Sequence, residues 1–187
     1  MAGSIITSLG AATKSAQGGK AYYESRRYNS RQSLIFISHR QNDGEVARKL
    51  AHFLVDFADV DVYMEAFNPT LASSGNPQAV VDVIDFGLNA CTHLIAIISD
   101  NTRGSWWVPY EIGIARNRPV PCAVMPLTNV LDLPEYMKTV EVVRDTNNLV
   151  LWTKRLFTTR VAKSVSPNSI DIPNFPTYRQ TPIVFRD

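Results

Sequence analysis

Two short polar segments, each containing one arginine, hold the side chains of this chain that are best suited to chemistry. Residues 38–43 read Ser-His-Arg-Gln-Asn-Asp, and residues 99–105 read Ser-Asp-Asn-Thr-Arg-Gly-Ser. Two tryptophans follow the second segment, and Glu111 lies four residues after Trp107, so the two would share one helix face. Guanidinium groups bind anionic oxygens, and a carboxylate can stabilise positive charge that develops during a reaction. These segments are therefore candidates for a binding or catalytic site.

The hydrophobic pattern of residues 34–163 alternates between buried strands and amphipathic helices. Short apolar runs predict strands at 34–38, 60–64, 93–99, 120–127 and 139–143. Helical spacing predicts helices at 45–59, from Pro77 onward, at 106–116 and at 149–163, with a short turn or helix at 131–138. Such alternation is typical of a parallel sheet covered on both faces. With right-handed crossovers, the predicted fold is α/β, a flavodoxin-like doubly wound five-stranded parallel sheet of order 2-1-3-4-5.

The predicted strand order places the two polar segments together. Ligands of open parallel sheets bind beyond the carboxyl ends of the strands at the topological switch point. Strands one and three flank that point here, and residues 38–43 and 99–105 follow them. The helix that carries Glu111 begins directly after the second segment, so we expect one site built from all three.

Charge is distributed unevenly along the 187 residues, although the formal net charge is only +2. Residues 1–33 carry a net charge of +4, residues 34–143 a net charge of −6, and residues 144–187 a net charge of +4. We interpret residues 1–33 as a basic N-terminal arm outside the main fold, 34–163 as the domain, and 164–187 as a Pro-rich C-terminal tail. A net charge near zero favours neither a nucleic-acid nor a membrane partner.

The location expected from the composition is the cytoplasm. The first twelve residues lack the basic start of a signal peptide, and no apolar run approaches the roughly 20 residues of a membrane-spanning helix. Cys91 and Cys122 are not spaced as metal ligands, and both lie in apolar segments. We therefore expect two reduced cysteines and no metal site.

Two motifs of the chain resemble signatures of Toll/interleukin-1 receptor (TIR) domains. Residues 34–44, LIFISHRQNDG, are similar to the first signature, in which a strand ends in Phe-Ile-Ser-Tyr or Phe-Ile-Ser-His. Residues 105–111, SWWVPYE, resemble the Ser-x-Trp-Cys-x-x-Glu segment at the start of the third main helix, with Val108 in place of the cysteine. The resemblance covers about residues 33–163 and is to the bacterial stand-alone, NAD-cleaving type.

The resemblance implies an NAD+ glycohydrolase or cyclase in which Glu111 is the catalytic residue. Breaking the nicotinamide–ribose bond develops oxocarbenium-like charge, which a nearby carboxylate stabilises. Nicotinamide leaves without a general acid because its ring nitrogen is already cationic. NAD+ is then the substrate and no cofactor is required. The expected products are nicotinamide and ADP-ribose or a cyclic isomer, used as a signal to a downstream effector in antiphage defence.

Eight further residues are expected to bind the substrate, from their place in the loops and in the resembling motifs: Ser38, His39, Arg40, Asp43, Phe67, Arg103, Ser105 and Trp107. Alternatives stay open for several of them. Glu111 in the first turn of a helix could simply be favoured by the helix dipole. Arg40 either meets the pyrophosphate or is solvated, and Trp107 either contacts the ligand or packs in the core. Phe67 lies in the loop 65–75, which in this family gates the cleft and contacts the next subunit.

Two other functions compete with NAD+ cleavage. The first is a non-enzymatic scaffold that acts through homotypic TIR–TIR assembly, and self-association is expected for the enzyme as well. The second is a nucleoside deoxyribosyltransferase-like enzyme, which also uses one glutamate near the sugar but needs no arginine for a pyrophosphate. The sequence contains no Walker loop and no Gly-x-Gly-x-x-Gly motif, which argues against a P-loop or dehydrogenase function.

Overall fold

A computed structural model describes residues 5–6, 33–58, 60–64, 77–130, 132–156 and 166–177 of the chain. Its strands are β1 (Ile5–Ile6), β2 (Leu34–Ser38), β3 (Asp61–Met64), β4 (His93–Ile98), β5 (Cys122–Pro126) and β6 (Glu141–Val142). Its α-helices are α1 (Gly44–Ala58), α2 (Pro77–Ala90), α3 (Trp107–Asn117) and α4 (Thr146–Arg155). Short 3-10 helices occupy Gln41–Asp43, Asp100–Thr102, Glu135–Thr139 and Pro167–Ser169.

The six strands form one parallel sheet in the order β1-β3-β2-β4-β5-β6. Strands β2 to β6 correspond to the five predicted strands, and their order confirms the predicted flavodoxin-like arrangement. Phe36 of β2 lies opposite Tyr63 of β3 on one side and Leu94 of β4 on the other. The register brings Ser38 beside Ala96, so the last residue of β2 lies next to the carboxyl half of β4.

Strand β1 departs from the sequence-based interpretation. Ile5 and Ile6 pair with Val62 and Tyr63, so these two residues belong to the sheet. The expectation that all of residues 1–33 lie outside the main fold is wrong for these two. Two β-branched side chains can pair with the otherwise open edge of β3, but a strand of two residues has too little periodicity to be recognised. The other residues of the expected arm, up to residue 32, lie outside the described ranges.

Side chains on the two faces of the sheet form two core clusters. One cluster combines α1 and α4 with the C-terminal segment, to which Ile170, Ile172 and Phe175 contribute buried side chains. The other combines α2 and α3 with the opposite face of the strands. The described part of the expected C-terminal tail is therefore packed on the domain. None of the helices in the described ranges is both long and apolar enough to cross a membrane.

The last helix begins three residues earlier than predicted. The side chain of Asp145 accepts a hydrogen bond from the backbone N–H of Asn148 at 2.8 Å, which caps α4 and lets it start at Thr146. The predicted continuation of this helix to residue 163 lies mostly outside the described residues. Both cysteines are free, and burial raises the pKa of the Cys122 thiol to about 12.

Candidate active site

The polar segments after β2 and β4 are joined by one buried carboxylate. Asp43 accepts a hydrogen bond from Oγ of Ser99 at 2.6 Å and another from Nδ2 of Asn101 at 2.6 Å. The two bonds engage both carboxylate oxygens of Asp43, which is buried. The predicted juxtaposition of the two segments is therefore present, and Asp43 holds it together.

A cleft with a volume of about 140 Å³ lies between the carboxyl end of β2, helix α2 and the beginning of α3. Six of the residues expected at the site line it: Ser38, His39, Arg40, Ser105, Trp107 and Glu111. Its volume is below the roughly 300–1,000 Å³ of a typical small-molecule site. The described residues therefore enclose only part of a dinucleotide.

Glu111 projects from α3 into this cleft and is buried, with 7% of its surface exposed. It is the fifth residue of the helix, so it lies beyond the first turn in which the sequence had placed it. Stabilisation of a carboxylate by the helix dipole falls off within that turn. The dipole alone is therefore a weaker reason for a glutamate at this position than the sequence suggested.

Ser105 and Val108 fix the start of α3. The backbone N–H of Val108 donates to Oγ of Ser105 at 3.3 Å, which caps the first turn. Val108, which stands where the family motif has cysteine, is buried in the core and also lines the cleft. The neighbouring Trp107 is half-buried in the cleft wall, and its ring meets Tyr110 edge-on at a centroid distance of 6.1 Å.

Ser38 supplies a hydroxyl group to the floor of the cleft. The residue is 1% exposed, and its Oγ has no hydrogen-bond partner among the described residues. A buried polar group without a partner destabilises a fold by about 1–3 kcal/mol. Because Ser38 is a lining residue of the cleft, a ligand bound there is a candidate for the missing hydrogen-bond partner.

His39 and Arg40 form the rim of the cleft beside β2. Nδ1 of His39 lies 3.3 Å from the carbonyl oxygen of Ile37 and donates to it. Burial lowers the pKa of His39 from its ordinary value of 6.5, against the opposing effects of this hydrogen bond and of the Asp43 carboxylate. The imidazole is therefore neutral at pH 7, whereas Arg40 brings a permanent positive charge to the rim.

Two of the expected binding residues that the structure describes are not found in the cleft wall. Asp43 is not among the residues that line it, because both of its oxygens are engaged in joining the loops. Arg103 is also absent from the wall, because its exposed guanidinium pairs with Asp100 at 3.1 Å on the outside of the same turn. The structure places these two residues outside the described cleft wall, and their roles in substrate binding stay predictions. Phe67 lies outside the described residues.

Sequence reasoning missed the apolar part of the wall. Val80 and Ile84 of α2 line the cleft together with Phe36 and Ile37 of β2. Val80 and Ile84 are apolar residues four apart in the sequence, and this spacing identifies a core-facing side of a helix but not a cavity wall. Within the described ranges, no group of three or more His, Cys, Asp and Glu side chains is arranged to hold a metal ion.

Comparison with known proteins agrees with this architecture. A family model described as the TIR domain matches residues 35–150, which is well over half of the chain. The matched region includes most of β2, the whole of α3 with Glu111, and the strands that form the switch point. The curated proteins contain no match to the chain. The match over residues 35–150 shows that this chain belongs to the TIR-domain family.

Proposed function

We propose that the chain cleaves the nicotinamide–ribose bond of NAD+, with Glu111 as the catalytic residue. The observation that carries this proposal is the cleft at the switch point, where the buried Glu111 carboxylate and the buried Ser38 hydroxyl line one cavity. TIR domains act in signalling or cleave NAD+, and a scaffold has no need for polar groups buried in a cleft. The cleft therefore favours the enzyme.

The proposed reaction needs little more than stabilisation of charge. As the bond breaks, its electron pair moves to the nicotinamide nitrogen and neutralises that ring, while C1′ of the ribose acquires positive charge. A carboxylate in a cleft that excludes water stabilises this charge more strongly than one in solvent. Glu111 is buried in the cleft, which reduces its contact with solvent.

The other cleft residues contact the remaining parts of the substrate. The Ser38 hydroxyl, which has no described partner, bonds a ribose hydroxyl. The Trp107 ring packs against the nicotinamide, and the Arg40 guanidinium pairs with the pyrophosphate. His39 lies beside the ribose, and Ser105 holds the helix start from which Glu111 projects.

The volume of the cleft supports a site that is completed by other parts of the protein. A volume of about 140 Å³ is too small to hold all of NAD+. We propose that self-association brings a second copy to the remaining half of the dinucleotide. The product, ADP-ribose or a cyclic isomer, would act in the cytoplasm as an antiphage defence signal to a downstream effector.

A non-enzymatic scaffold that acts through assembly is the second candidate, and the exposed Trp106 is consistent with assembly. This residue precedes α3 and is 88% exposed, although Trp is among the residues most enriched at the centres of protein interfaces. An assembly that buries Trp106 would serve a scaffold as well as an enzyme. Exposure of this residue therefore supports assembly without distinguishing between the two functions.

Nicotinamide release by the full-length chain tests the proposal. Purified protein at high concentration is incubated with NAD+, and nicotinamide is followed by chromatography for wild type, Glu111→Gln and Glu45→Gln. We expect Glu111→Gln to lower the rate at least about 100-fold, because an amide cannot stabilise the developing charge. Glu45 is an exposed glutamate in the first turn of α1, and its variant should match wild type.

Two outcomes contradict the proposal. Equal rates for Glu111→Gln and wild type would exclude Glu111 as the catalytic residue. An absence of nicotinamide release from wild-type protein that forms oligomers would favour the scaffold.

A further inference from the structure

His39 is the one imidazole among the described residues that line the cleft, and the cleavage step above does not use its basicity. Its Nδ1 donates to the carbonyl oxygen of Ile37. A carbonyl oxygen only accepts, so the proton of the neutral ring is on Nδ1 and the lone pair is on Nε2. The cleft therefore contains a neutral base as well as the Glu111 carboxylate.

The groups around His39 keep this base unprotonated. Asp43 from the adjoining turn and the bond to Ile37 raise the pKa of His39, whereas burial and the Arg48 guanidinium of α1 lower it, and burial has the largest effect. Among the described residues that line the cleft, the other charged ones are Arg40, its chain neighbour, and Glu111. With its pKa below 6.5, the imidazole is ready to accept a proton at pH 7.

We propose that His39 is a second catalytic residue, whose Nε2 accepts the proton of the attacking nucleophile when NAD+ is hydrolysed. This role rests on the proposed function. The oxygen of a water molecule bonds to C1′ of the ribose, while the bond from C1′ to nicotinamide breaks and its electron pair moves to the nicotinamide ring. The surplus proton on the new C1′ hydroxyl passes to Nε2 and then to solvent. Cyclisation, in which a hydroxyl group of the substrate attacks C1′, also releases a proton that a base must accept.

A separate base lets the Glu111 carboxylate keep its charge throughout the step. Its negative charge stabilises the positive charge on C1′, and a carboxylate that takes a proton in the same step loses that charge. Pairs of titratable groups in different environments commonly divide such tasks between them. Here a buried carboxylate and a buried imidazole line one cavity.

Comparison of two nucleophiles tests the role of His39. Water must lose a proton as it bonds to C1′, whereas the ring nitrogen of 3-acetylpyridine carries none and forms the exchanged dinucleotide directly. In His39→Gln we expect ADP-ribose formation to fall by about 10²–10⁴-fold, the usual contribution of a general base. Pyridine exchange should stay close to the wild-type rate.

The pH dependence provides a second measurement. Hydrolysis by wild type should rise with pH through the pKa of His39, below 6.5, and then level off, because only the neutral ring accepts a proton. This rise of the rate with pH should be absent from pyridine exchange and from hydrolysis by His39→Gln.

His93→Gln is the matched control. Burial lowers the pKa of His93 as well, but this residue begins β4, roughly 16 Å along the strand from the end that meets the site. We expect His93→Gln to catalyse hydrolysis and pyridine exchange at the wild-type rates. His39→Asn is used if His39→Gln does not fold.

The outcomes separate the two proposals. Equal losses of hydrolysis and exchange in the His39 variants, or no loss of either, would overturn the role of His39, while loss of both in Glu111→Gln would still support the proposed function. An absence of both reactions in wild type would refute the proposed function and, with it, the role of His39.

Discussion

Two cavities among the described residues differ in volume and in the chemistry of their walls. The cleft beside Glu111 measures about 140 Å³, whereas the cavity between α1 and residues 169–172, here called the tail cavity, measures about 290 Å³. The larger one is walled by Phe53, Phe57, Ile170 and Ile172, with Lys49, Asp56, Ser169 and Asp171 around them. The smaller one contains a hydroxyl and a carboxylate that are both buried.

This difference indicates that the burial of polar groups, rather than cavity volume, identifies the candidate site. In the tail cavity Lys49 and Asp171 form an ion pair at 3.6 Å, and their side chains are 48% and 91% exposed. Such groups lose little hydration. In the cleft, Ser38 is desolvated and lacks a partner among the described residues, a state that destabilises a protein unless a ligand relieves it. Substitutions should therefore affect stability in one cavity and activity in the other.

Truncation of Phe57 should have the largest effect on stability. This side chain is 4% exposed and stacks on Phe53 at a centroid distance of 5.2 Å. Phe57→Ala enlarges the tail cavity, and we expect the free energy of unfolding to fall by about 3–5 kcal/mol, as measured by urea denaturation. Phe53→Ala, at a half-buried position, should lose less.

The same variant tests whether the cavities are independent. We expect the rate of nicotinamide release per folded molecule to be unchanged in Phe57→Ala. A fall of tenfold or more at a temperature where the variant is folded would show that the tail cavity is coupled to the cleft, and the contrast between the two would not hold.

Two buried serines at the ends of neighbouring strands provide a second comparison, because only one of them has a described hydrogen-bond partner. Ser99 is 2% exposed and donates to Asp43 at 2.6 Å, whereas Ser38 is 1% exposed and has no described partner. Ser99→Ala breaks a hydrogen bond to a charged group, so we expect a loss of about 1.5–3 kcal/mol in the free energy of unfolding. Ser38→Ala removes an unsatisfied hydroxyl and should be neutral or stabilising.

For Ser38→Ala we expect a loss of activity without a loss of stability. Because its hydroxyl is proposed to bond the ribose, Ser38→Ala should raise KM or lower kcat for NAD+ about tenfold, the equivalent of one hydrogen bond. Thermal melts and rate measurements on both variants check this. A large loss of stability in Ser38→Ala would mean that the hydroxyl has a structural partner and is not available to a ligand.

Much of the fold could be predicted because its signals are local. The apolar run of β4 and the helical spacing of α1 each lie within one element, and the handedness of crossovers then limits the order of the strands. Strand β1 depends instead on pairing with β3, more than fifty residues away, so its two isoleucines carried no signal of their own. Asp145 is a residue type typical of helix caps, and attention to it would have corrected the start of α4.

The meeting of the two polar segments could be predicted, but the orientation of each side chain could not. The loops after β2 and β4 do meet, and Glu111 lies beside them. Within one loop, however, Ser105 lines the cleft whereas Arg103 turns outward to Asp100. Which way a loop side chain points depends on the local turn and on distant partners, as with Asp43 and Ser99, which lie 56 residues apart. Residue type alone reveals neither the geometry of the turn nor the distant partner.

The ion pair of the tail cavity should give the smallest effect. Exposed pairs stabilise proteins by at most about 1 kcal/mol, and Lys49→Ala also removes an aliphatic stem that packs against the cavity. A double-mutant cycle with Asp171→Ala separates the two contributions. We expect a coupling energy below about 1 kcal/mol at low salt that nearly vanishes in 1 M salt, where the screening length is about 3 Å. A larger coupling that persists in salt would mean that these charges are shielded from water. The tail cavity would then share the property by which the cleft was identified, and it would have to be considered as a site as well.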